Sequence, residues 1–432
     1  MDRRTFISIG AVVPFFGLSN LISCFSKESM FDQNLKIDSN NIIDLHPSLN
    51  YKIISKKNLL MSDGFKVPGL ADGMGSFLVN GKIVLVRNHE IVPRHGMNVG
   101  PFENVHEQIA GLGAKHYDAN AIGGTTNIIL DIKSKEVLKE YLSLSGTMQN
   151  CAGGVTPWGT WLSCEEYVNV KNTSQVSHGY VFEVDPRNPS LCSPNPLKKM
   201  GRFNHEAVAF DRFNNAYLTE DRSDGLIYKF VPKNTNDLNE GELFALKVKD
   251  ISDSRNWNES QAQLNTSHKI EWVRIEDYDP NEDTVRKEGF SKGATVFARP
   301  EGIVADNESV YICCTSGGQL KKGQIFKINL SSSKESFLEL WYEVQDASSL
   351  NMPDNIVVAP WGDLIVCEDN SDRNRLWGLT SKGKPYLIAQ NSYSGSEFAG
   401  ACFSPVDNTM FVNIQGSGLT LLIDGNWNSL IS

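Results

Sequence analysis

After its first two dozen residues the chain has no further long apolar run, so nothing in the mature protein is expected to span a membrane. Basic residues are few: 41 Lys and Arg face 51 Asp and Glu, giving a formal net charge of −10. With no basic stripe to displace counterions, nucleic acid is excluded as the main partner. Past the leader there is no Gly-x-Ser-x-Gly elbow and no Walker-type phosphate loop, so the common nucleophile and nucleotide motifs are missing. Helical periodicity is scarce after residue 60. Cysteine is sparse and oddly numbered: beyond Cys24 there remain Cys151, Cys164, Cys192, Cys313, Cys314, Cys367 and Cys402. An exported chain with this set leaves at least one thiol unpaired or put to another use.

The beginning of the chain reads as an export signal. Arg3-Arg4 precede Thr5-Phe6-Ile7 and an apolar stretch from Ile9 to Ile22 that is too short to span. Twin arginines point to transport of a folded protein. The stretch ends in Leu21-Ile22-Ser23-Cys24, which resembles a bacterial lipobox with Cys24 as the lipid-bearing residue. A plain cleaved signal, or a greasy cytoplasmic leader, is the alternative. The chain divides into a signal over 1–24, an N-terminal segment over 25–65 and one large domain over 66–432.

What the sequence does have is strands. Short runs rich in Val, Ile, Tyr and Phe recur between Gly, Asn and Asp turns, giving an all-β reading. A loose repeat of turn, strand and paired acids stands at Trp158–Glu166, Phe213–Asp221 and Trp361–Asp369. Asn80–Glu90 ends in one acid, and Asn307–Gly318 ends in none. Shorter strands precede these and further strands follow them, the pattern of blades packed around an axis. The expected fold is a six-bladed β-propeller with a metal cluster in its central channel. Blades are expected to begin near residues 70, 150, 204, 300, 353 and 397, and a strand from 30–65 to complete the last. A two-sheet sandwich is the alternative. Residues 234–290, rich in Asn, Asp, Glu and Lys, read as a surface excursion.

In a propeller the innermost strands face the axis, so an acid repeated at one position converges with its counterparts. The candidates are Glu90, Glu165 or Glu166, Glu206, Glu220 or Asp221, Glu301, Asp354, Glu368 or Asp369, and Glu397. Several carboxylates in one channel must be protonated or neutralised, because like charges at low dielectric repel by several kcal/mol per pair. Only Arg87, Arg202, Arg222 and Arg299 lie nearby in sequence, so cations are the expected answer. Oxygen ligands in excess suit Ca2+, and a thiolate beside them would recruit a transition metal; Cys151 is the candidate. His89 and His205 read as structural, and Cys313 and Cys367 as small buried hydrophobes or halves of disulfides.

The stretch NCAGGVTPWGTWLSCEE, from Asn150 to Glu166, resembles the hallmark of the PhoX family of bacterial alkaline phosphatases. The resemblance continues through RNHE (87–90), GGTTN (123–127), GRFNHEAVAFD (201–211), YLTEDR (217–222), RPEG (299–302), PDN (353–355), CEDN (367–370), EFAGACFSP (397–405) and FVNIQ (411–415). It implies a pair of ferric ions (Fe3+), several Ca2+ and a bridging oxo group, acting on small phosphomonoesters. By motif position it implies Cys151 as thiolate ligand of one iron. Glu166, Glu206, Glu220, Glu301, Asp354 and Glu368 are implied as carboxylate ligands, with Glu90, Glu165 and Glu397 completing the metal set. Arg299 is implied as the phosphate-binding arginine, with Glu166 and Asn88 beside it in the catalytic group. The missing motifs make metal-borne chemistry the expectation, with direct attack on phosphorus by a metal-held oxo or hydroxide, without a Ser or His intermediate, as the expected route. The expected protein is a monomer, periplasmic or held at a membrane only through lipid on Cys24. Two other functions fit an acid-lined propeller: a Ca2+-dependent lactonase or esterase, and a non-catalytic propeller rigidified by Ca2+.

Overall fold

The structure is a computed structural model that describes residues 34–171, 176–330, 336–371 and 373–431. The twin-arginine and lipobox reading, including Cys24, lies outside the described residues.

Alternating apolar and polar positions form twenty-five strands among the described residues, nearly all antiparallel neighbours in sequence. Two come first, β1 (Ile43–Leu45) and β2 (Leu49–Lys56). A four-stranded sheet follows, β3 (Ala71–Val79), β4 (Lys82–His89), β5 (Gly123–Asp131) and β6 (Val137–Thr147), then a three-stranded one, β7 (Asn150–Val155), β8 (Trp161–Glu165) and β9 (Val181–Val184). Next are β10 (His205–Phe210), β11 (Ala216–Glu220), β12 (Ile227–Asn234) and β13 (Asp237–Val248), then β14 (Ser267–Arg274). After them come β15 (Pro300–Ala305), β16 (Ser309–Cys314), β17 (Gln324–Asn329) and β18 (Phe337–Glu343). These nine make one sheet because β14 pairs with both β13 and β18. The last two sheets contain β19 (Pro353–Val358), β20 (Leu364–Glu368), β21 (Arg375–Leu379) and β22 (Pro385–Asn391), with β1 outside them, and β23 (Phe398–Phe403), β24 (Met410–Ile414) and β25 (Leu419–Gly425), with β2 outside them.

The first strand of each set lies innermost: β3, β7, β10, β15, β19 and β23 follow one another in a closed ring, each packed on the next. The fold is therefore all-β and propeller-like. Apolar faces such as Ile312, Phe326 and Ile328 bury completely between neighbouring sheets, the main favourable term in folding. Pairing of β2 with β25 over Leu49–Gly425 to Lys56–Leu419 joins the early chain to its last strand.

Residues 234–290 are not a surface excursion. Leu238, Leu243, Ala245, Leu246 and Val248 of β13 are buried, and their polar neighbours in sequence supply the outward face. The segment also contains a short helix, α2 (Val285–Ser291), and a second, α1 (Val105–Leu112), lies in the β4–β5 connection.

Close approach of the inner strands demands small residues. A Cβ on Gly302 would stand 2.2 Å from the Asp354 carbonyl oxygen, and one on Gly73 would stand 2.6 Å from the Ala152 Cα. Beyond this point the axis is an open channel of about 450 Å3, flanked by Met74, Val155, Phe210, Ile303, Val358 and Phe403. Gly302→Val is expected to destabilise the chain by about 2 kcal/mol through forced strand separation, a loss read by denaturant unfolding.

Candidate metal centre and active site

Three backbone positions, repeated set by set, build the site. The residue before each inner strand is Leu70, Gln149, Asn204, Arg299, Met352 or Glu397, and the second residue of that strand is Asp72, Cys151, Glu206, Glu301, Asp354 or Ala399. The residue after the second strand is Glu90, Glu166, Asp221, Thr315, Asp369 or Gln415. Every inner strand shifts register against its partner at its start, as at Asn150/Gly153, His205/Val208 and Pro353/Ile356. Such bulges re-aim side chains, here toward the axis. Leu70, Gln149, Arg299 and Met352 all adopt left-handed backbone, with φ between 48° and 49°. Bulky residues enter that region only when their surroundings hold them there.

The outcome is a ring of nine carboxylates, Asp72, Glu90, Glu166, Glu206, Asp221, Glu301, Asp354, Asp369 and Glu397, around one thiol, Cys151. Burial, then the neighbouring acids, pushes the carboxyls of Glu166 and Glu206 well above the usual range. Burial leads likewise for Asp72, raised to about 6, and Glu90, raised to about 8. Glu301, Asp354, Glu397 and the Cys151 thiol are also driven up by burial first. A cluster whose charged form is this unfavourable is one that counter-cations would stabilise.

Neutral amides separate some of the acids. Gln149 Nε2 donates to Glu90 (3.1 Å) and Glu166 (2.8 Å), Gln415 Nε2 to Asp72 (2.8 Å) and Glu90 (2.7 Å), and Asn204 Nδ2 to Glu166 (3.0 Å). Arg299 supplies a positive charge from within the ring. Its Nε and Nη2 donate to the two oxygens of Asp221 at 3.0 and 3.2 Å, and Nη1 lies 3.5 Å from Asp369. Nη2 also stands 2.5 Å from Glu301 Oε1, yet misaligned for a hydrogen bond, so that oxygen and Asp354 Oδ1 are buried without a hydrogen-bonding partner.

These residues fit metal ions. Ligand atoms of Asp72, Glu90 and Cys151 lie within 4.8 Å of one another, as do those of Cys151, Glu166 and Glu206, so the thiol is common to two groups. Cys151 Sγ stands 3.1 Å from Glu206 Oε1. A shared sulfur among carboxylates suits a transition metal, and the all-oxygen sector at Glu301 and Asp354, where Asp354 Oδ1 is buried without a hydrogen-bonding partner, suits Ca2+.

The structure gathers Glu90, Cys151, Glu166, Glu206, Arg299, Glu301, Asp354 and Glu397, and sets four expected residues apart. Glu165 accepts from Met148 N, Gly179 N, Tyr180 N and His178. Glu220 is engaged by Tyr228 Oη (2.7 Å) and Arg286, and Glu368 by Arg375 (3.0 Å), Trp377 Nε1 (2.8 Å) and Asn351 N. In each pair of acids the first closes its strand and turns into the sheet, and the second enters the channel. Asn88 is spent behind the thiol: Nδ2 donates to the carbonyls of Cys151 (3.0 Å) and Ala152 (2.7 Å), and Oδ1 accepts from Trp161 Nε1 (2.9 Å). Asp72, Gln149, Gln415, Asp221 and Asp369 are the members that sequence reasoning left out or passed over. Position relative to strand ends would have found them. His89 and His205 are held by backbone carbonyls, and all seven described cysteines are free.

Fold and site together define an all-β protein whose axial ring of acids includes two groups of side chains that could hold a metal ion. The chain belongs to the PhoX family of alkaline phosphatases: residues 33–418 match the family model described as "Alkaline phosphatase PhoX". It is thus a phosphoester hydrolase by family. No curated protein matches it by sequence. Among solved structures it is similar to Pseudomonas fluorescens PhoX in complex with vanadate, a transition state analogue. That match has a TM-score of 0.68 at 18% identity and covers 89% of this chain and 96% of that one. Two weaker likenesses are to a putative gluconolactonase (TM-score 0.46, 8% identity, 90% of this chain and 95% of that one) and a gluconolactonase from Xanthomonas campestris (0.42, 10%, 88% and 95%). At those scores they carry no argument about activity.

Two outcomes are expected. Glu220→Gln and Glu368→Gln should lower thermal stability while leaving cation content unchanged. Asp354→Asn should cut cation content yet stabilise the stripped chain by relieving like-charge crowding, as elemental analysis and unfolding would show. Separately, burial lowers the His178 pKa, but Glu165 and Asp118 outweigh it and raise it from 6.5 to about 9. A group raised on folding stabilises below its unfolded pKa, and that contribution fades as pH climbs through the folded value. Wild type should therefore lose stability between pH 6.5 and 9, and His178→Gln should flatten that slope in thermal scans.

Proposed function

We propose that the six strand sets are six propeller blades around a mixed iron and calcium centre, and that this centre with Arg299 hydrolyses phosphomonoesters. The observation that carries the reading is Cys151: one thiol shared between two carboxylate groups, on the axis, beside an arginine. Cations bound there supply charge neutralisation for phosphate oxygens and acidify a water molecule.

The chain's own residues do the rest. Arg299 binds the non-bridging oxygens of the phosphate, and Asp221 and Asp369 fix the plane of its guanidinium beforehand. Glu166 acts as a ligand whose two oxygens are oriented by Gln149 and Asn204. Asn88 acts by holding the Cys151 backbone in its bulge. Bound cations together with Arg299 would make the pocket net positive, which explains how a chain of formal charge −10 accommodates an anionic substrate. Export by the twin-arginine route, a lipid on Cys24, a single catalytic domain over 66–432 and a monomeric state complete the proposal.

Elemental analysis of protein exported with its leader is expected to find iron and calcium. Cys151→Ser should lose iron and hydrolysis of p-nitrophenyl phosphate while keeping its circular dichroism; full iron in that variant would remove the thiol from the centre. Arg299→Gln should raise KM by about tenfold or more through loss of a charge-assisted contact.

A further inference from the structure

The ring is not uniform. At the position after the second strand, the first, second, third and fifth sets carry an acid and the last carries Gln415, but the fourth carries Thr315. Its hydroxyl donates to the Pro353 carbonyl (2.8 Å), so this sector has no acid facing the mouth from that position. The loop that follows, Ser316–Gly323, bears Lys321 and Lys322, one exposed and one half-buried, and neither makes an ion pair among the described residues. Trp257 underpins the loop. Its Nε1 donates to the Ser316 carbonyl (2.6 Å), Arg255 lies 4.4 Å from its ring centre, and Lys321 Nζ lies 5.1 Å away. Arg255 is in turn neutralised by Asp253 (2.6 Å) and donates to the Ser223 carbonyl (3.0 Å). Its own carbonyl accepts from Gly318 N.

The two lysines are rooted at the reacting end. Thr315 N donates to the Arg299 carbonyl (3.0 Å), Met352 N to the Lys322 carbonyl (2.5 Å), and Asp369 N to the Met352 carbonyl (3.0 Å). These backbone contacts set the loop directly beside the segments that carry Arg299 and Asp369.

We propose that this loop is the subsite for the leaving group and that it selects phosphomonoesters whose alcohol portion carries further negative charge, such as a second phosphate. The inference rests on the reading of Arg299 as the phosphate anchor. With the scissile phosphate at Arg299, the remainder of the substrate passes over a sector where an acid gives way to a loop bearing two ammonium groups that no acid among the described residues pairs. Attraction there acts equally on ground and transition state, so it lowers KM and leaves kcat alone. Salt screens it, because both lysines face solvent.

The test compares a sugar bisphosphate with p-nitrophenyl phosphate, using the metal-loaded full chain. In the Lys321→Ser/Lys322→Ser double variant, KM for the bisphosphate should rise about fivefold or more at low salt, with kcat unchanged. Kinetics on p-nitrophenyl phosphate should not move, the charge-keeping Lys321→Arg/Lys322→Arg variant should restore the low KM, and 1 M salt should erase the difference, as the Debye length there is only about 3 Å. Equal effects on both esters, or no effect on either, would overturn the subsite while leaving the phosphatase reading intact. Failure of Arg299→Gln to raise KM for p-nitrophenyl phosphate would instead overturn the anchor, and the subsite with it.

Discussion

Like charge held together at low dielectric is the constraint on which the structure depends. Nine carboxylates and a thiol meet on one axis, and burial makes Asp72, Glu90, Glu166, Glu206, Glu301, Asp354, Glu397 and Cys151 harder to ionise. Such a ring is stable only with compensation. Within the chain that compensation is partial: three amide side chains spaced between acids, and Arg299 spread over Asp221, Glu301 and Asp369. The remainder of the requirement is a specification for cations, written in the protein's own electrostatics.

The scaffold meets the constraint by repetition. A bulge at the start of each inner strand, a left-handed residue before four of them and a residue just past each second strand deliver side chains to the axis at fixed heights. Tight contact between inner strands, enforced by Gly73, Gly302 and the Asp354 carbonyl, leaves the ring little room to expand and relieve its repulsion.

Much of the fold was legible because strands and turns are local. The starts of all six inner strands fall at or within a few residues of the expected positions, since the Gly- and Asn-rich turns mark them. The site was legible only in outline. Paired acids announced convergence, but nothing in Glu220-Asp221 or Glu368-Asp369 says which member turns inward; that depends on where the strand's last ladder bond falls. Glu220 remains in register opposite His205, so its side chain belongs to the sheet, and Asp221 is the first residue free to turn. Asp72 was missed because its strand, interrupted by Gly73 and Gly75, lacks a paired acid. Residues 234–290 were misread because polar composition records an outward face as readily as a loop.

The pairing of Leu49–Lys56 with Leu419–Gly425 has a consequence for biogenesis. A ring closed by pairing β2 with β25 is not complete until β25 has been made, so the acids of the axis are not confined before then. A chain cut short before β25 would be left as an open arc with its acids unconfined.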